Sequence, residues 1–173
     1  MTMYGWKTKF KEIRREFGYR EKDDYLSAKK LNSLLKKKFS KKQLQDIITG
    51  KTVFIIGAGP SLSESLVYIK KCKNITKIVA DGAVRALLEE NMKPDILVTD
   101  LDGDLNSIKK IGRTKIPIII HAHGDNYDRL EIVENSVDNV WALCLKRKPT
   151  GFSVRKPLFA HLMCTSFFRF FPL

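Results

Sequence analysis

Two hydrophobic periods divide the chain. Up to Gly50, apolar residues return every three or four positions: Trp6, Phe10, Ile13 and Phe17, then Leu26, Leu31, Leu34 and Leu35, then Leu44, Ile47 and Ile48. This spacing predicts three helical segments, and Gly18 and Gly50 stand where helices commonly stop. From Lys51 the period changes to short β-branched runs, TVFII, KIVA, DILVT and IPIIIHA. Helix-like stretches separate them: SESLVYIKKC, AVRALLEEN and YDRLEIVEN. Strands alternating with helices at this spacing predict βαβ units and a parallel sheet covered on both faces. A fifth run, NVWALCL, predicts one more strand. After Lys146 neither period survives. The expected organisation is a basic helical N-terminal extension over 1–50, a Rossmann-like α/β domain with a parallel sheet over 51–145, and an atypical tail over 146–173.

Charge changes this picture only in part. The chain carries a formal charge of +13 over 173 residues, which favours an anionic partner without choosing between nucleic acid, membrane surface and phosphorylated metabolite. Much of the excess lies before residue 50, in KKLNSLLKKKFSKK and its neighbours, where a solvated helical face explains it. Specific nucleic-acid binding is not expected, since neither a helix-turn-helix pattern nor an aromatic-interleaved basic platform is present. The three cysteines are scattered, without a CxxC pair, as expected of reduced thiols inside a cell. The N-terminus has no apolar signal-peptide core, and the apolar end LFAHLMCTSFFRFFPL is too short and too polar to span a bilayer. A cytoplasmic protein without a membrane partner is expected. Phe167, Phe168, Phe170 and Phe171 would form an apolar patch that promotes association, so a homo-oligomer is a further expectation.

The candidate chemistry sits at the carboxyl ends of the strands, where open α/β sheets collect ligands. GAGPSL (57–62) follows the first run. Gly57, Gly59, Pro60 and Ser61 would let backbone N–H groups approach phosphate oxygens before a helix N-terminus. Ser61 with Glu64 also fits a capping box, which leaves a plain tight turn open. Leu62 stands where a dinucleotide fingerprint needs its third glycine, and the P-loop's Gly-Lys-Ser/Thr is missing. ADGA (80–83) places Asp81 after the second run, as a helix cap or as a site carboxylate.

TDLDGD (99–104) crowds three carboxylates into five positions of a basic chain. Carboxylates that close repel one another unless a cation is held. Leu105 and Ile111 replace the glycine and glutamate an EF-hand needs. Asp100 and Asp102, two apart at a strand end, can turn toward one point and suit Mg²⁺, which takes one or two carboxylates together with substrate phosphates. Asp104 reads as the cap of the next helix. HAHGDN (121–126) places His121 and His123 on one face, with Asp125 and Asn126 beyond. Two histidines without a nearby cysteine are too few for zinc, so hydrogen bonding to a phosphate or a heterocycle suits them better.

With GAGPSL, ADGA, PDILVTDLDGD and HAHGDN in this order, the stretch from about Lys51 to Leu145 resembles the archaeal 6-hydroxymethyl-7,8-dihydropterin diphosphokinase family. The resemblance implies a sheet related to that of thiamin diphosphokinases. It implies Mg²⁺-dependent transfer of a diphosphoryl group from ATP to the pterin alcohol, with release of AMP, in methanopterin-type cofactor synthesis. Asp100 and Asp102 would hold the metal, with Asp81 assisting it or accepting the substrate proton. The GAGPS amides would hold phosphate, and His121, His123, Asp125 and Asn126 would line the pterin or phosphate side.

In that family a further glycine-rich segment and more α/β structure follow the fifth strand. Here PTGFSVRKPLFAHLMCTSFFRFFPL replaces them, as a truncated or frame-shifted reading would. The α/β domain is then incomplete relative to the family, and a non-catalytic nucleotide-binding remnant is one alternative. A haloacid-dehalogenase phosphatase is another, since DLDGD resembles its DLDGT. However, Asp104 replaces the threonine, and that motif normally opens a fold instead of ending a third strand. A role in glycosyl transfer, as in related domains of flagellin-glycosylation proteins, fits so short a chain less well.

Overall fold

The computed structural model describes residues 5–18, 20–35 and 41–132. The expected fifth strand (139–145) and the tail (146–173) lie outside the described residues. The element order is α1 (Trp6–Glu16), α2 (Glu21–Leu34), α3 (Lys41–Ile48), β1 (Val53–Ile56), α4 (Leu62–Lys71), β2 (Thr76–Ala80), α5 (Asp81–Glu89), β3 (Ile96–Thr99), α6 (Leu105–Gly112) and β4 (Ile118–Ile120). A 3-10 turn follows at Gly124–Asn126. Gly18 and Gly50 lie just beyond the ends of α1 and α3 at φ +68° and +72°, the left-handed conformation that glycine adopts without a Cβ penalty.

The four strands form one parallel sheet in the order β1-β2-β3-β4. Right-handed crossovers between sequential parallel neighbours put all connecting helices on the same face. Burial follows that rule. Ile56, Val79, Leu97, Ile118 and Ile120 form one core with Ile69 of α4, Ala83, Val84 and Leu87 of α5, and Ile108 and Ile111 of α6. The alternate residues Ile78, Ile96, Val98 and Ile119 face the other way, onto Leu44, Ile47 and Ile48 of α3. Period-2 alternation with both sets apolar is what makes these strands read as continuous hydrophobic runs.

Of the helices before Lys51, α2 and α3 therefore take part in the packing of the α/β unit. α3 covers one sheet face, and Leu31 of α2 is fully buried in the core on the other. Among the described residues no helix is long and apolar enough to cross a membrane.

Register sets the level of each strand's carboxyl end. Ala80 is opposite Val98, and Thr99 is opposite Ile120. One step further along, Asp81 comes level with Thr99, and Asp100 with His121.

Candidate functional site

Asp81, Asp100 and Asp102 converge at the ends of β2 and β3, with one carboxylate oxygen of each lying within 4.8 Å of the others. Asp81 is buried, Asp100 half-buried and Asp102 exposed. Asp81 is the first residue of α5 and not its cap, a position taken by Ala80. Its carboxylate accepts the Gly82 N–H at 2.9 Å and the Thr99 hydroxyl at 2.7 Å. The simple cap reading of Asp81 is thereby corrected: the side chain turns sideways toward β3.

Thr99 shapes the turn that follows. Its Oγ1 also accepts the Leu101 N–H at 2.8 Å, and Leu101 takes φ +70° while buried. A left-handed non-glycine residue costs about 1–2 kcal/mol, here offset by the hydroxyl bond and by burial of the leucine in the core. The kink falls between the two aspartates and returns the chain toward Asp81. Gly103 permits the close approach, because a Cβ there would lie 2.9 Å from the Asp81 Cβ and 3.0 Å from its Cγ. Asp104 caps α6 as its spacing predicts, accepting the Asn106 and Ser107 N–H groups at 3.2 Å each.

The HAHGDN segment closes the other side. His123 Nε2 lies 3.6 Å from Asp100 Oδ2, and Nδ1 lies 3.9 Å from Asp125 Oδ2. The His121 and His123 rings are 5.3 Å apart. Asn126 is 2% exposed. Its amide donates to the Asp100 and His121 carbonyls at 2.7 and 2.8 Å, and its Oδ1 accepts the His123 N–H at 3.0 Å. This side chain is committed to backbone and ties the two loops together, whereas the sequence placed it among substrate contacts. Arg129 adds a bond of 3.3 Å to the Leu101 carbonyl.

Electrostatics follow from this crowding. The His123 imidazole holds Asp100 well below the usual carboxylate range, and proton sharing with Asp102 adds to the effect. Asp102 is pushed up to about 6, first by that sharing with Asp100, then by burial and by the charges of Asp100 and Asp81. His123 is raised, chiefly by Asp100. An all-oxygen set of three carboxylates, one of them reluctant to ionise beside the others, is chemically suited to a hard divalent cation. The residues present fit Mg²⁺.

The glycine loop borders this cluster. Gly82 approaches Ala58 so closely that a Cβ would stand 3.0 Å from the alanine's, which sets residues 57–61 beside the first turn of α5. Space is open above Gly59, where an added Cβ would meet nothing within 4 Å. A hollow of about 360 Å³ lies against Gly59, Pro60, Leu62 and Ser63 on one side and Ala86, Glu89 and Glu90 on the other, so it runs toward the end of α5 opposite Asp81. Ser61 precedes α4 without a side-chain capping bond, so the capping box its spacing suggests does not form. A second hollow, of about 250 Å³ and bordered by Lys70, Lys73, Lys77 and Lys93, opens near the amino ends of β2 and β3, away from the carboxylates.

Thr99, Leu101 and Gly103 were not among the residues the sequence singled out. The only local signal was their place within TDLDGD.

Fold and site together define a parallel α/β protein that gathers acidic and imidazole groups at the carboxyl ends of adjacent strands. Residues 26–162 match the family model described as 6-hydroxymethylpterin diphosphokinase MptE-like, and the chain belongs to that family. The match extends beyond the motif-bearing stretch on both sides. Three curated relatives carry the name 6-hydroxymethyl-7,8-dihydropterin pyrophosphokinase. That of Methanocaldococcus jannaschii is 39% identical over 150 residues, covering 83% of this chain and 62% of the relative. That of Pyrococcus furiosus is 42% identical over 133 residues, covering 74% and 55%. That of Methanothermobacter thermautotrophicus is 37% identical over 132 residues, covering 75% and 56%. The chain thus spans a little over half the length of the curated relatives it matches.

Proposed function

We propose that this chain is a diphosphokinase that transfers the diphosphoryl group of ATP to the hydroxymethyl group of a 6-hydroxymethyl-7,8-dihydropterin, releasing AMP. The observation that carries this reading is the convergence of Asp81, Asp100 and Asp102 at the ends of adjacent strands, beside a glycine turn with open space above Gly59. The relatives' names supply the pterin.

Attack by a neutral alcohol on the β-phosphorus needs alignment and charge neutralisation more than covalent help. Asp100 and Asp102 would hold Mg²⁺; when bound, the ion supplies charge neutralisation at the phosphate oxygens. The backbone N–H groups of Gly57, Gly59 and Ser61 would bind further phosphate oxygens, with Pro60 fixing the turn. Asp81, oriented by Thr99, would assist the metal site or accept the alcohol proton. His121, His123 and Asp125 would line the phosphate or pterin side, with Asn126 holding their loop in place.

The test is incubation with ATP, Mg²⁺ and the pterin alcohol, with nucleotide products resolved by chromatography. AMP and a diphosphorylated pterin are expected, both lost in excess chelator. Inorganic phosphate released without acceptor, faster than AMP forms, would overturn the reading in favour of a phosphatase.

A further inference from the structure

The basic N-terminal region contains one acidic turn at the start of α2, and that turn is in contact with the site loop. Asp23 is occupied by Arg20, whose guanidinium makes bonds of 2.8 and 3.2 Å to the two carboxylate oxygens. Asp24 faces elsewhere. Its Oδ1 accepts the Gly124 N–H at 3.0 Å, a contact between residues 100 positions apart in the chain. The approach leaves no room for a side chain at Gly124, since a Cβ there would stand 2.9 Å from the Asp23 Cβ.

A second grip lies six residues further along α2, about 9 Å by helical rise. Lys30, with only 16% of its side chain exposed, pairs with Glu131 at 2.9 Å and stands 4.3 Å over the Tyr127 ring. Directly after the second grip, Leu31 anchors the helix in the core. The clamped segment begins directly after His123, the residue 3.6 Å from Asp100.

We infer that Asp24 is a positioning residue: through the Gly124 N–H it fixes the loop that holds His123 against Asp100. Elements that hold a reacting group in place are costly to lose, because small displacements of such groups cost large factors in rate. Lys30 and Leu31 secure α2 as a whole, whereas Asp24 bonds directly to Gly124, the residue next to His123. The helix therefore has a duty in the site besides packing. This inference rests on the reading of His123 and Asp100 as part of the reaction site.

The experiment compares full chains carrying Asp24→Ala, Asp24→Asn or Gly124→Ala, using thermal melting, nuclear magnetic resonance of the His123 ring, and AMP formation. Asp24→Ala is expected to melt cooperatively, to shift and broaden the His123 ring signals, and to lower kcat about tenfold, as loss of a supporting contact does. The KM for ATP should change by less than about twofold, since the nucleotide loop is untouched. Asp24→Asn keeps an oxygen acceptor for the Gly124 N–H and should restore both kcat and the ring signals. Gly124→Ala forces the same contact apart from the opposite side and should displace the ring likewise.

A folded Asp24→Ala chain with wild-type ring signals and kcat would overturn the inference. Should Asp24→Ala not fold, Gly124→Ala decides: an undisturbed His123 ring overturns the inference, and a displaced one supports it. A wild-type chain that forms no AMP would count against the proposed reaction, and the ring signals would still decide the role of Asp24.

Discussion

Thr99 donates its hydroxyl hydrogen to Asp81 Oδ2 across 2.7 Å, and both residues are buried at the ends of neighbouring strands. The same hydroxyl oxygen accepts the Leu101 N–H. One side chain thus orients the innermost carboxylate and stabilises the left-handed turn between the other two. Thr99→Val keeps the shape and removes both bonds, leaving two buried polar groups without this partner. Destabilisation of about 2 kcal/mol or more is expected, with a smaller loss for Thr99→Ser. Urea denaturation measures both, and a valine variant as stable as wild type would show that the hydroxyl is dispensable.

Gly103→Ala tests the closeness of the cluster. The new methyl would meet Asp81 Cβ, Cγ and carbonyl carbon at 2.9–3.0 Å, so Asp81 and the Gly103 turn must move apart and disturb the cluster. Mg²⁺ affinity measured by calorimetry should fall about tenfold or more, as it does when groups supporting a metal site are displaced. Melting should remain cooperative. Undiminished affinity would place Asp81 outside any metal site.

The third aspartate of TDLDGD separates from the other two. Asp104 is committed to the N-terminus of α6, so Asp104→Ala should lower the melting temperature through loss of the cap, with Mg²⁺ affinity near wild type. Asp100→Asn should instead abolish turnover while the fold persists. If both variants lost metal affinity equally, the division of roles would be wrong.

The pH dependence of the metal-free chain has a definite sign. Asp102, pushed up to about 6 in the fold, binds its proton more tightly there than in the unfolded chain. Its contribution to stability is complete below the ordinary carboxylate value near 3.9 and is lost as pH rises through about 6. His123 is raised as well, so its contribution is present below about 6.5 and is lost as pH climbs through its folded value. Asp100, held low, gives stability that disappears only in strong acid. In chelator, the melting temperature is therefore expected to fall between pH 5 and 8, by the general dependence of stability on bound protons. Asp102→Asn should flatten the lower part of that fall, and Mg²⁺ should oppose it. A melting temperature that rises over this range would contradict the geometry of the pair.

Local chemistry alone determined much of this protein. Ile96–Thr99 and Ile118–Ile120 are legible as strands because both of their faces are apolar. Asp104 is legible as a cap because its partners Asn106 and Ser107 lie two and three residues on. The four strand-end motifs could likewise be placed, since a parallel sheet puts every carboxyl end at one edge.

Period says which face a side chain takes and nothing about its partner across the fold. Register brought Asp81 level with Thr99, 18 residues away. Packing of α2 brought Asp24 to Gly124, and burial turned Asn126 from the solvent toward two backbone carbonyls. The lysine-rich start reads as a solvated extension, because its charges outnumber its apolar residues. Only the folded core shows that Leu31 is fully buried together with residues of the sheet and of α4, α5 and α6. Such contacts depend on which surfaces meet, and that is decided by packing of the whole chain.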